Sequence, residues 1–382
     1  MKLLLSLILL TGLFYSCEET SVIETPVSTA NLNLPQIPYA YANQPLPAYL
    51  NAPLITAQIN NAAANPTTDH GATLGRVLFY DKGLSANGTV SCASCHQQSA
   101  AFSDPAKFSK GFNGGLTTRN SMSLLNARYY PNGRFFWDER SISAEAQASR
   151  PIVHPVEMGM TMKGAVEKIK SKSFYPALYK NAFGTEEIDS ARTVKAIAQF
   201  VRSIISYRTK YDEGRAALAA GQNPGTTDFS NYTASENLGK RLFFTRANCG
   251  ACHGSETFSA PGARNNGLDL VFADNGVGAV TNNPPQNGQF KVPSLKGIEK
   301  SAPYMHDGRF ATLREVVEHY NSGVKNHPNL SPPLRLPGPG GGVLRLNLTE
   351  TEITALVDFM KTLTDTGIEN DPKFSDPFIS GN

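Results

Sequence analysis

Cys92-Ala93-Ser94-Cys95-His96 is the stretch that decides the fold, and it recurs as Cys249-Gly250-Ala251-Cys252-His253. Two thiols at this spacing reach the two vinyl carbons of one porphyrin, and the adjacent histidine is then held beneath the iron. A lone Cys-x-x-Cys leaves zinc, a redox pair or a structural disulfide open. A histidine after both pairs favours haem, because zinc held by two such pairs does not need it and a disulfide across two residues is strained. Two covalently bound haems c are expected, attached through Cys92, Cys95, Cys249 and Cys252, with His96 and His253 as iron ligands.

Outward from the motifs, Leu74-Gly75-Arg76-Val77-Leu78-Phe79-Tyr80 precedes the first and Leu238-Gly239-Lys240-Arg241-Leu242-Phe243-Phe244 precedes the second. The first copy has the longer loop, from Asp81 to Ser91, and the pair reads as an internal duplication of one haem-binding unit. Between the motifs, Val194, Ile197, Ala198, Val201, Ile204 and Ile205 follow helical spacing and predict a buried helix near the end of the first unit. Thr233 with Glu236, and Thr349 with Glu352, have capping-box spacing. The second box precedes Ile353, Leu356, Val357, Met360 and Leu363, an amphipathic helix. Gly221, Pro224 and Gly225 mark a linker over 217–232. The expected fold is mainly α: two cytochrome c-like haem domains in tandem with long irregular loops, at 67–220 and 231–370.

A chain of 382 residues, 40% hydrophobic and 18% charged, is long enough for two such domains with real cores. The formal charge of +3, without any Lys/Arg run, gives no footprint for nucleic acid. At the N-terminus, Lys2 and the apolar run Leu3 to Leu10 read as an export signal, too short to span a bilayer stably. Ser16 and Cys17, followed by Glu18 and Glu19, resemble the lipobox of bacterial lipoproteins, with Phe14 where leucine is usual. An ordinary secretory signal is the alternative. A lipid anchor on Cys17 explains the one cysteine outside the haem motifs, and places the protein in the periplasm, membrane-bound through that anchor only. Residues 18–66, interrupted by Pro35, Pro38, Pro45, Pro47 and Pro53, read as a tether that ends in an arm lying on the first domain.

The segments RNSMSLLN (119–126), FFWDER (135–140), AEAQASRPI (144–152), HPVEM (154–158), FKVPSLKGI (290–298) and APYMHDGRF (302–310) flank the haem motifs in order. Together they resemble the bacterial di-haem cytochrome c peroxidase and MauG family, over roughly Leu74 to Asp365. The resemblance implies that Trp137 sits between the haems and passes electrons. Glu139 departs from the family, which has glycine there. It also implies that Glu157 is the acid/base group of the peroxide-binding haem, with Gln147 and Pro151 in the remaining distal positions. On residue type alone, Trp137 reads as a core aromatic and Glu157 as a surface carboxylate. Pro155, Val156 and Met158 give Glu157 an apolar setting that resists ionisation. Family members that need reductive activation carry a histidine between the first motif and the RNS segment. Residues 97–119 contain none, so the first haem is expected to keep an open or water-filled distal side.

For the second haem, Leu313, Val316, Val317 and Tyr320 share one helical face, which turns Tyr320 inward and leaves His319 off the stripe. In the family this position holds either a methionine or a ligating tyrosine. Tyr320 is therefore favoured as the second iron ligand, with Met305 as the competitor and a packed tyrosine as the bland alternative. The resemblance further implies one calcium ion between the haems, held by Asn120 and the carbonyls near Lys291 and Pro293. His306, with Asp307 and Arg309, is a candidate for a haem propionate or for a structural hydrogen bond. His70, His154 and His327 receive no role, although His154 lies three residues from Glu157.

These readings converge on an enzyme that reduces hydrogen peroxide, fed by a small cytochrome c or cupredoxin donor. Two other functions stay open: a MauG-like enzyme that oxidises residues of a partner protein, and a non-catalytic di-haem electron carrier. A homodimer is compatible with the family.

Overall fold

The computed structural model describes residues 31–60, 63–254, 256–338 and 341–379; the signal segment and Cys17 lie outside the described residues. Nine helices matter for the site: α1 Asp69–Tyr80, α2 Ala144–Val153, α3 Met162–Lys170, α4 Tyr175–Phe183, α5 Ser190–Ser203, α6 Lys210–Ala216, α7 Ala234–Phe244, α8 Leu313–Glu318 and α9 Glu350–Lys361. Among the described residues there are isolated β-bridges but no strands.

Local chemistry sets the helix starts. Both expected capping boxes form, at Thr233/Glu236 and Thr349/Glu352, and among the described residues others occur at Ser91/Ser94, Thr209/Asp212 and Thr312/Glu315. A side-chain cap of this kind is worth about 1 kcal/mol, which favours each start while tertiary packing supplies most of the helix's stability. Asp189 caps α5 by accepting from Arg192 N. That helix ends at Ser203, yet Ile204 and Ile205 continue the apolar face into the core.

Two crossings organise the molecule, α1 against α5 and α7 against α9. Each needs a glycine. A β-carbon on Gly75 would sit 2.0 Å from the Ala196 carbonyl oxygen, and one on Gly239 would sit 1.8 Å from that of Ala355. The next residue is a buried cation in both copies. Arg76 donates to the Pro372 carbonyl and Lys240 donates to those of Pro224 and Thr227, so each crossing also ties down a distant loop.

The duplication therefore reaches the level of single contacts. Each crossing seeds its own hydrophobic core: Leu74, Leu78, Phe79, Ile197 and Phe200 in the first, Leu242, Phe243, Leu356 and Phe359 in the second. Tyr211 on α6, with Phe229 and Tyr232, packs into the second core.

Residues 31–60 pack more broadly than a tether would. Tyr41 donates to Lys373 O, Gln44 to Ser203 O and Tyr49 to Asp212 Oδ1. The arm thus touches the first core, the C-terminal tail and the segment joining the two units. That tail returns to the first unit, where Phe374 is buried among Tyr41, Phe102 and Phe200.

Candidate functional site

Each Cys-x-x-Cys forms one helical turn, Cys92–Cys95 and Gly250–His253, which puts both thiols and the histidine on one side. His96 Nδ1 is 3.0 Å from Phe102 O and His253 Nδ1 is 3.0 Å from Phe258 O. This bond assigns the Nδ1 proton and leaves Nε2 as the ring nitrogen for a metal.

Both phenylalanines hold left-handed backbone, φ 56° and 53°, a region that costs a non-glycine residue energy. The strain turns each carbonyl onto its histidine. A second loop then locks it, because Ser123 Oγ donates to Ala101 O (2.6 Å) and Ser294 Oγ donates to Thr257 O (2.7 Å). RNSMSLLN and FKVPSLKGI are thus the same part of the two units, which the letters alone do not reveal.

Burial keeps both imidazoles neutral, lowering His96 and bringing His253 down to about 4. Neutral imidazole is the ligating form. Burial pushes the Cys92 and Cys249 thiols up to about 12. A redox-active pair needs a lowered thiol pKa, so that alternative loses its support. Among the described residues, no three His, Cys, Asp or Glu side chains converge as a zinc site would require.

Cys249, Cys252 and His253 line a cavity of about 220 Å³ whose other walls include Phe243, Leu313, Val316, Val317, Leu356 and Met360. An apolar slot with two thiols and an imidazole at one edge fits haem c. Met305 and Tyr320 also line it.

Tyr320 reaches the cavity because α8 passes into a π-turn, His319–Gly323. Such widened turns redirect side chains and recur at functional sites. The same turn buries His319, whose Nε2 lies 3.1 Å from Asn266 O. His319 is therefore inside the fold, contrary to the periodicity reading, which assumed a regular helix to its end.

Asn266 Nδ2 lies 3.4 Å from both Met305 Sδ and the Tyr320 hydroxyl. Burial pushes the free Tyr320 phenol up to about 12, and the Asn266 donor works against that rise. Tyr320→Phe is expected to change the absorption spectrum of the second haem, while Met305→Leu leaves it unaltered; the reverse pattern reassigns the ligand.

Trp137 lines the same cavity, with Asn120, Lys291 and Pro293. Its Nε1 donates to Asn120 O at 2.8 Å and its carbonyl accepts from Lys291 N at 2.7 Å, so both haem-bearing units hold it. Arg119 pins the loop with two bonds to Asp274, 2.7 and 2.8 Å, and an ion pair to Asp138. Asn120 Nδ2 is turned to carbonyls of the 104–107 loop, 3.0 Å from that of Ala106. His306 stacks on Phe290 at 3.7 Å and lines the cavity, whereas Arg309 is engaged by Asp269 and Asp307.

Glu157 sits on a clamped turn. Phe112 N donates to its carbonyl and Ala86 N to that of Met158, while Gly111 lies so close that a β-carbon would be 1.7 Å from Val156 O. Its side chain is 24% exposed. Burial raises its pKa, while His154 and Arg140 oppose the rise. Cys92 and Cys95 both feel its charge, which places it by the first haem motif. His154 Nδ1 accepts from the Val156 and Glu157 amides, both at 3.3 Å, and so holds the turn rather than facing the motif as a ligand. Gln147 lies one turn before Pro151 on α2. Proline has no N–H, so Pro151 deprives the Gln147 carbonyl of its helical donor.

Residues 69–217 match the family model for di-haem cytochrome c peroxidase, and residues 237–364 match that for cytochrome c. The chain is 36% identical over 305 residues to methylamine utilization protein MauG of Methylorubrum extorquens, an alignment covering 78% of this chain and 80% of that protein. The chain belongs to the di-haem cytochrome c peroxidase and MauG family. It is also 30% identical to cytochrome c551 peroxidase of Nitrosomonas europaea, covering 83% of this chain and 85% of that one. Among solved structures, a MauG-like protein associated with microbial copper homeostasis superposes with a TM-score of 0.74 at 31% identity, covering 88% and 99% of the two chains. Membership supports two haems c, one in each unit. It contains both peroxidases and MauG proteins, so it fixes a di-haem oxidoreductase more firmly than any one substrate.

Three features escaped the sequence reading: the carbonyls of Phe102 and Phe258, the bridging Asn266, and the contacts of Glu139. A phenylalanine six and five residues after the motif histidines was the available signal for the first.

Proposed function

We propose that this protein reduces hydrogen peroxide to water, with two electrons received singly from a small cytochrome c or cupredoxin through the second unit. Glu157 carries the proposal: a partly buried carboxyl beside the first haem motif, on a turn that backbone contacts hold rigid. His96, with Cys92 and Cys95, would hold a haem, which would supply the redox chemistry. Glu157 takes a proton from the nearer peroxide oxygen and returns it to the departing one, which leaves as water. Trp137, fastened to both units, carries the electrons across. The lack of histidine at 97–119 supports a site that needs no prior reduction.

Turnover should rise with pH as Glu157 ionises, because the proton-accepting form is the carboxylate. Burial places that midpoint above the ordinary 4.5. Arg140 lowers the Glu157 pKa, so Arg140→Gln should move the acidic limb of the pH profile further up. A profile unaffected by either Arg140→Gln or Glu157→Gln would remove the carboxyl from the rate.

Tyr320 beside Asn266 favours a second reading, a MauG-like enzyme that oxidises residues of a partner protein. Slow turnover with cytochrome c, together with modification of one specific protein, distinguishes it from a peroxidase. The remaining proposals are a calcium ion at Asn120 and the carbonyls near Pro293, and a periplasmic location through a lipid on Cys17. Elemental analysis and intact-mass measurement of detergent-extracted protein check both.

A further inference from the structure

Beside Trp137 lies a buried polar cluster that the reaction above does not use. The Tyr130 hydroxyl donates to Glu139 Oε1, and Asn132 Nδ2 donates to Glu139 Oε2 at 2.9 Å. Tyr130 and Glu139 are 3% and 7% exposed, and Asn132 opens to solvent. Lys291 Nζ stands 3.9 Å from the centre of the Tyr130 ring, while Lys291 N holds the Trp137 carbonyl.

Glu139 adopts φ 56°, a left-handed conformation unfavourable for a glutamate. Strain of this kind persists where the surroundings impose it, often at working sites. Here it directs a carboxylate, two residues from the electron-carrying tryptophan, at the Tyr130 phenol.

We propose that Tyr130 is a redox-active tyrosine that holds one oxidising equivalent beside Trp137, passing its proton to Glu139. This rests on the peroxide reading, which supplies the oxidant. Once Trp137 has lost an electron to the peroxide-oxidised haem pair, Tyr130 gives one electron to Trp137. Its O–H bond breaks as Glu139 Oε1 takes the proton. The products are a neutral tyrosyl radical, reduced Trp137 and a protonated Glu139.

Burial brings the Lys291 amine, held over the ring, down to about 7 against the pull of the Glu139 carboxylate, and its ammonium form opposes positive charge on the ring. The electron therefore leaves together with the proton, across a hydrogen bond already formed. Burial and the neighbouring carboxylate both raise the Tyr130 phenol pKa, so the ground state keeps its proton. When no donor is docked, the equivalent rests on this tyrosine instead of on the haem edge.

Holoprotein mixed with peroxide and no donor, then frozen, tests the proposal by electron paramagnetic resonance. A tyrosyl signal that narrows in protein made with ring-deuterated tyrosine is expected. Tyr130→Phe should abolish it, and Glu139→Gln, which keeps size and removes the base, should cut its yield by about tenfold or more. The same signal at full yield in Tyr130→Phe would overturn the proposal.

Haem absorbance recorded alongside shows whether peroxide has reacted at all. If it has not, flash oxidation of the same proteins by a photogenerated ruthenium(III) complex supplies the missing electron acceptor. A tyrosyl signal lost in Tyr130→Phe then supports the redox tyrosine although the peroxide reading has failed. An identical signal in the two proteins overturns it.

Discussion

Glu157→Gln lowers peroxide turnover by about 10²- to 10⁴-fold, the usual contribution of one positioned acid/base group, while both haems remain attached. Glutamine keeps the shape and can still donate a hydrogen bond, but it cannot accept the proton. The turn that carries it is held by backbone bonds from Phe112 and Ala86 and by the close approach of Gly111, none of which involves the carboxyl. Stability should therefore change little. Stopped-flow peroxide reduction with unaltered haem spectra separates this loss of chemistry from a loss of cofactor. Turnover within twofold of the parent would mean that another group moves the proton.

The second large effect concerns folding. Gly75→Ala and Gly239→Ala each place a methyl within about 2 Å of a main-chain carbonyl oxygen, at the Ala196 and Ala355 positions respectively. A backbone atom cannot rotate aside, so the paired helices must separate. The expected cost is about 3 kcal/mol or more, at the upper end for overpacking a core. Because the two crossings lie in separate hydrophobic cores, each variant should disturb mainly its own haem. Thermal unfolding followed at the two haem spectra measures this. If Gly239→Ala unfolds at the parent temperature, the crossing is looser than its geometry states.

How much of this was legible in the letters follows a physical pattern. The haem attachment, the capping boxes at Thr233 and Thr349 and the apolar face of α5 were readable because they depend on neighbours close in sequence. The duplication showed in Leu74-Gly75 and Leu238-Gly239. Its continuation, in which Ser123 and Ser294 grip equivalent carbonyls, did not show, since RNSMSLLN and FKVPSLKGI share little beyond Ser-Leu.

His319 was misplaced because a π-turn shifts the periodicity that the helical reading assumed. The packed arm at 31–60 was underestimated because its contacts are with residues far along the chain, such as Ser203, Asp212 and Lys373. Glu139 was noticed only as a departure from glycine. Its partner Tyr130 was invisible until the left-handed backbone brought the two together. Glu157 and Trp137 were named through family resemblance, and their physical reasons, the clamped turn and the double tether, come from the structure.

The account stands most directly on steady-state peroxide reduction by the as-isolated ferric holoprotein with reduced cytochrome c, measured with and without a preceding one-electron reduction. An accessible first haem, with Glu157 in place and no histidine at 97–119 to block it, predicts full turnover from the oxidised protein and no gain on pre-reduction. No turnover until the protein is reduced, together with two low-spin haems that refuse cyanide in the oxidised state, would contradict it.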